Sequence, residues 1–245
     1  MKYIIDSASL EEIQEALELG AYGVTANPSM YLKNRQEFLP FLRTCSTMNL
    51  SFLSGEVMGD TLEEMEEEAQ RIYNINPDII IKLNFSGNAL KMCRRLRKRG
   101  IRTALTLIFT VAQAAAAISA GADYLFPFIG RSDEYGQDGL KLVQDIQTMI
   151  DRHGYPVFVV AASVKNIHQL EAAAAAGVPY AAIPCALYLK ALKHPLTRQG
   201  TQDFERDWKE VHTFFTKNQH SPLVCSRCML SLVMIGEICL KSRGF

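Results

Sequence analysis

Residues 3–20 read YIIDSASLEEIQEALELG, and the reading of this stretch decides the fold. Tyr3 to Asp6 is a mainly apolar run of strand length that closes on a carboxylate. Ser9 with Glu12 then forms a capping box, in which side chains three residues apart satisfy the first free N–H groups of a helix. Leu10, Ile13 and Leu17 share one face of that helix, and Gly20 supplies the left-handed turn that ends it. Strand, capped helix, glycine: the unit is complete in 18 residues.

Working outward, the same unit recurs. Thr61 with Glu64 caps a helix after the run Ser51–Val57, Thr110 with Gln113 after Thr103–Ile108, and Asn166 with Gln169 after Pro156–Ala161. Helix-to-strand glycines follow at Gly100, Gly121 and Gly177. Strand-length runs fall near 3–6, 22–25, 51–57, 79–83, 102–106, 123–127, 156–161 and 180–183, each with a helical segment behind it. Several, such as Ile79-Ile80-Ile81, are apolar throughout, as parallel strands covered on both faces should be. Eight such strands can close into a barrel or open into a doubly wound sheet. Neither a GxGxxG after the first strand nor a GxxxxGK[ST] motif is found, so the open nucleotide-binding sheet loses its support. The expected fold is α/β, a (β/α)8 TIM barrel with an additional C-terminal helix.

That extra helix is read over Thr201–Lys217, with Phe204, Trp208 and Val211 on it. Residues 1–217 are expected to form one domain. Residues 218–245 are apolar without a clean period and are set apart as a tail of unassigned role, with poor order allowed for. Cys225 and Cys228 form a CxxC there, but His220 and Cys239 do not complete paired zinc spacing, so no metal site is assigned.

Composition narrows the function. Lys plus Arg and Asp plus Glu are 26 each, which offers no basic excess for nucleic acid. The local cluster Lys91, Arg94, Arg95, Arg97, Lys98 and Arg99 lies near a helix C-terminus, where cations complement the dipole, and no aromatic residues interleave it. No apolar run reaches the length of a signal h-region or a membrane span, and three cysteines are scattered singly, so a cytoplasmic chain is expected.

In such a barrel the reactive groups sit at the C-terminal ends of the strands. Those positions hold Asp6, Thr25 with Asn27, Glu56, Lys82, Thr106, Arg131 and Ser163. None of the histidines lies there and no HExxH occurs, so ligands for metal-assisted chemistry are lacking. Lys82 ends the run Asp78-Ile79-Ile80-Ile81-Lys82-Leu83, so its amine is expected at a dry barrel mouth, where desolvation favours the neutral nucleophile. On the strand alone, a lysine whose stem packs while its head reaches water fits better, because strand-end lysines are common and reactive ones rare. Asp6 as a mere helix cap is less apt, because Ser9 already fills that place. Glu56 in an otherwise apolar strand calls for a polar role.

The neighbours of these residues carry a resemblance. Thr25-Ala26-Asn27-Pro28-Ser29 resembles a TTNPS signature, and Ile81-Lys82-Leu83 an IKL or VKV segment. Leu105-Thr106-Leu107-Ile108-Phe109, Phe126-Pro127-Phe128-Ile129-Gly130-Arg131, Ala161-Ala162-Ser163-Val164-Lys165 and Phe204-Glu205-Arg206-Asp207-Trp208 follow in order. Together they resemble the transaldolase family, which includes the short fructose-6-phosphate aldolases. The resemblance implies a Schiff base between Lys82 and a ketose phosphate, with Asp6 as acid/base and Glu56 with Thr106 holding a proton-shuttling water. It further implies that Asn27 and Ser163 bind hydroxyls of a dihydroxyacetone unit, while Arg131 and Lys165 bind phosphate. No cofactor is implied, because the imine itself is the electron sink. Homo-oligomers, rings or decamers in which the C-terminal helix meets a neighbour, are implied as well.

Within the family the aldolase members carry tyrosine and glutamine where Phe128 and Glu56 stand here. Phenylalanine cannot hydrogen-bond a hydrolytic water, so the resemblance points to transfer rather than hydrolysis. Release of dihydroxyacetone by an aldolase, and a silent barrel that only binds sugar phosphates, are the alternatives. Ala26, Asn84 and Phe126 depart from the family pattern and bear on substrate length and phosphate affinity.

Overall fold

The computed structural model describes residues 1–219. Eight parallel strands close into a barrel in sequence order: β1 (Lys2–Asp6), β2 (Gly23–Thr25), β3 (Phe52–Val57), β4 (Ile80–Asn84), β5 (Thr103–Ile108), β6 (Tyr124–Pro127), β7 (Phe158–Ala161) and β8 (Tyr180–Ile183). β1 pairs with both β2 and β8, which leaves no free edge. The (β/α)8 expectation holds.

Helices follow the strands: α1 (Leu10–Glu18), α2 (Pro28–Asn34), α3 (Phe38–Ser46), α4 (Leu62–Tyr73), α5 (Gly87–Lys98), α6 (Val111–Ala120), α7 (Ile129–Glu134), α8 (Gly139–His153), α9 (Ile167–Ala175) and α10 (Cys185–Ala191). The caps read from sequence are made: Ser9, Thr61, Thr110 and Asn166 each accept from the N–H three residues on. At Thr61 the box is reciprocal, with Glu64 reaching back to the cap N–H.

Alternation along the strands divides the core in two. Ile4, Phe52, Ile80, Ala104, Phe126, Val160 and Ala182 face inward and fill the barrel. Ile5, Leu53, Ile81, Leu83, Leu105 and Val159 face outward and meet the helices. Period two therefore commits Asp6, Glu56 and Lys82 to the inside, two residues beyond Ile4, Ser54 and Ile80. At Gly23 a Cβ would lie 2.1 Å from the Phe52 carbonyl oxygen, so the β2–β3 approach needs glycine. The β5–β6 register shifts between Leu105 and Ile108, and Leu107 takes φ 58° there.

Met1–Leu192 is one compact unit and contains the barrel. A second unit begins at Lys193, and its described part is one helix, α11 (Pro195–Gln219). The helix starts earlier than the expected Thr201, because Pro195 suits a first helical turn whose N–H would be unpaired anyway. Phe204, Trp208, Phe214 and Phe215 on α11 are exposed. Among the described residues no helix is long and apolar enough to cross a membrane. Residues 218 and 219 continue α11, and residues 220–245 with the CxxC lie outside the described residues.

Candidate active site

Lys82 is 4 % exposed, and its Nζ stands against an ordered set of acceptors. Glu56 Oε2 lies at 2.9 Å, the Ala26 carbonyl oxygen at 2.7 Å and Thr25 Oγ1 at 3.3 Å. The register explains the first contact, since Glu56 on β3 pairs directly with Lys82 on β4. The other two come from the C-terminal end of β2. Three acceptors around one nitrogen match the three N–H donors of an ammonium group.

Behind this contact Thr25 Oγ1 and Ser54 Oγ share a hydrogen bond of 2.7 Å, both residues being buried. Ser54 was not singled out from sequence, although its place two residues before Glu56 puts it on the same face of β3. Glu56 is itself buried, and its Oε2 has no hydrogen-bond partner apart from the ionic contact with Lys82. The Phe126 ring centroid is 5.8 Å from Nζ, which closes the site with an apolar wall.

Asp6 occupies the end of β1 and accepts from Asn27 Nδ2 at 3.4 Å. Burial pushes its carboxyl up from an ordinary 3.8 to about 6, opposed by the Lys82 charge and the Asn27 bond and reinforced by the Glu56 charge. A carboxyl so placed exchanges protons near neutral pH. Asn27 also caps α2 through Met30 N, so one side chain ties the helix start to the acid.

Asp6, Thr25, Asn27, Glu56, Lys82, Thr106, Phe128, Arg131, Ser163 and Lys165 all line one cavity of about 420 Å³. Thr106 is buried, whereas Arg131 and Lys165 stand exposed at the mouth. The Arg131 guanidinium lies 5.1 Å from the Phe128 ring, and Lys165 Nζ is 3.6 Å from Glu134. Ser163 holds φ 55° and gives its carbonyl to Gly130 N at 2.9 Å. A Cβ on Gly130 would fall 2.4 Å from that carbonyl oxygen and 2.5 Å from Lys165 Cγ, so the loops bearing Arg131 and Lys165 meet over a glycine.

Phosphate-like charge can thus be met at the rim, and a carbonyl compound can be met by an amine on the floor. A model of the transaldolase/fructose-6-phosphate aldolase family matches residues 3–223. The chain belongs to that family. Named relatives include a probable transaldolase of Geobacter metallireducens, 42 % identical over 213 residues that span 86 % of this chain and 99 % of the relative. A probable transaldolase of Heliobacterium modesticaldum is 37 % identical over 212 residues, 86 % of this chain and 99 % of its own. One of Bartonella henselae is 38 % identical over 213 residues, 86 % and 98 % of the two chains. The chain is therefore a transaldolase-like enzyme.

Proposed function

We propose that this transaldolase-family enzyme moves a dihydroxyacetone unit between ketose and aldose phosphates through a Schiff base on Lys82. The observation that carries the reading is the buried Lys82–Glu56 pair, 2.9 Å apart, inside the cavity that Asp6 also lines. A buried ion pair is a poor stabiliser compared with packed apolar side chains, so its presence favours a chemical role. The names of the relatives point the same way.

In this reading the ammonium of Lys82 first passes a proton to Glu56, and the neutral amine adds to the C2 carbonyl of the ketose. The resulting carbinolamine loses water, with Glu56 and a Thr106-held water carrying the protons, and an iminium forms. Asp6, as carboxylate, takes the proton of the C4 hydroxyl while the C3–C4 bond breaks. The bonding pair moves into the iminium and leaves an enamine on Lys82, and the aldehyde phosphate departs. An incoming aldehyde phosphate reverses these steps, with Asp6 returning the proton to the new hydroxyl. Thr25 and Ala26 aim the amine, Asn27 and Ser163 hold hydroxyls of the retained unit, and Arg131 with Lys165 takes the phosphate as fork and point charge.

Phe128 supports transfer over hydrolysis, because its ring offers no hydrogen bond to an attacking water. The test is mass spectrometry after incubation with fructose 6-phosphate and borohydride. A dihydroxyacetone-derived increment on the Lys82 peptide is expected, together with transfer to erythrose 4-phosphate. Binding without an adduct would make the chain a silent sugar-phosphate barrel, and steady release of dihydroxyacetone without an acceptor would make it an aldolase.

The exposed Phe204, Trp208, Val211 and Phe215 recur at helical spacing on α11 and support a self-associating role for that helix. Sedimentation of the chain with Phe204 and Trp208 changed to alanine is expected to show a smaller species than the parent. An unchanged coefficient would remove the role.

A further inference from the structure

We propose that Asn84 forms a hydroxyl-binding subsite beside the Schiff-base lysine, one that favours a ketone bearing two hydroxymethyl groups over one bearing a methyl. The proposal rests on the Schiff-base reading above. Asn84 closes β4 two residues after Lys82, so both side chains leave the strand on the same face. It pairs with Thr106 on β5, and the pairing of Val57 with Leu83 brings Met58 level with it on the other flank. Asn84 and Met58 thus form the layer above the Lys82–Glu56 pair, and both line the same cavity.

The carboxamide of Asn84 is poorly used by the protein. Its Nδ2 donates to Met58 Sδ at 3.6 Å, and a thioether is a weak acceptor. Its Oδ1 is buried without any hydrogen-bond partner. Turning the amide over only exchanges which polar end goes unpaired. An unsatisfied buried amide oxygen is destabilising, and the weak N–H···S contact is the one hydrogen bond of the carboxamide among the described residues. A ligand hydroxyl that donates to Oδ1 therefore relieves a defect the fold leaves open.

The walls nearby say which hydroxyl. Phe126, the inward residue of β6 that lines the cavity, is apolar and buried, so Asn84 and Thr106 supply the neutral hydrogen-bonding groups on this flank. A ketone carbon joined to Lys82 carries two substituents. One turns to the Asn27 and Ser163 side; the other faces Phe126 and Asn84. A methyl group there would need nothing more than the apolar wall. A hydroxymethyl group there needs an acceptor, and Asn84 Oδ1 is that acceptor.

The experiment uses the full chain and two ketones, dihydroxyacetone and hydroxyacetone, each trapped with borohydride below saturation and read on the Lys82 peptide. The quantity is the ratio of the two trapping rates, compared between parent, Asn84→Ala and Asn84→Leu. Both ketones are read on one preparation, so any loss of folded protein cancels. Each substitution is expected to lower the preference for dihydroxyacetone about fivefold to tenfold, the usual range for one hydrogen bond. An unchanged ratio, including equal slowing of both ketones, would make Asn84 a structural or water-holding residue and overturn the proposal. A parent that traps neither ketone would instead remove the Schiff-base reading, and this proposal with it.

Discussion

Replacing Asp6 with asparagine should stabilise the protein while it destroys activity. Burial lifts the Asp6 carboxyl from 3.8 to about 6, which means that the fold disfavours its charged form. At about 1.36 kcal/mol per pKa unit, holding the ion in the folded state costs about 3 kcal/mol at neutral pH. The sign follows from the raised folded value. Below about 4 both folded and unfolded chains carry the proton, and Asp6 contributes nothing. Between 4 and 6 the unfolded chain ionises first, so stability falls as pH rises, and above 6 the full penalty applies. The carboxamide introduced by Asp6→Asn has no charge to bury, so the variant should exceed the parent by up to about 3 kcal/mol at pH 7.5, and by little at pH 4. Urea unfolding at a series of pH values measures the difference directly, and a coupled assay of transfer should show activity lost. Equal stability of parent and variant across pH 4–8 would refute the reasoning, as would an advantage that grows toward acid.

Lys82→Met should abolish trapping and also lower stability by roughly 3–5 kcal/mol, because it leaves Glu56 buried and unpaired. Adding Glu56→Gln to that variant should recover much of the loss in denaturant melts, and failure to recover would deny that the pair is electrostatically coupled. Phe128→Tyr brings a hydroxyl to the cavity wall and should raise acceptor-independent release of dihydroxyacetone, measured by an enzymatic assay for the triose; no rise would deny Phe128 its part in suppressing hydrolysis. Gly130→Ala drives a Cβ to 2.4 Å from the Ser163 carbonyl oxygen, so it should raise KM for phosphorylated substrates at least severalfold, and an unchanged KM would show that the two rim loops move independently.

Much of this architecture can be read along the chain because its signals are local. The caps at Ser9 and Thr61 are contacts over three residues, and the glycines at 20, 100, 121 and 177 all take positive φ in the structure. Position at the C-terminal ends of the strand-length runs marked Glu56 and Lys82, since barrel chemistry gathers there. The start of α11 was missed because the turn at Pro195 precedes the apolar pattern that announces the helix. Ser54 escaped notice for another reason: a serine in a strand has no meaning until its partner Thr25, 29 residues away, is known.

The succession of strands and helices and the strand ends that carry the reactive groups thus follow from residue pattern, since strand-length apolar runs and helix caps act within a few residues. The surroundings of the amine do not. Nearby charge, carbonyl and hydroxyl acceptors from β2 and β3 converge on Lys82 Nζ only when the barrel closes, and the same closure withdraws water from Asp6 and raises its carboxyl. Proton affinity depends on distance and on dielectric, and neither exists until strands far apart in the chain are brought side by side.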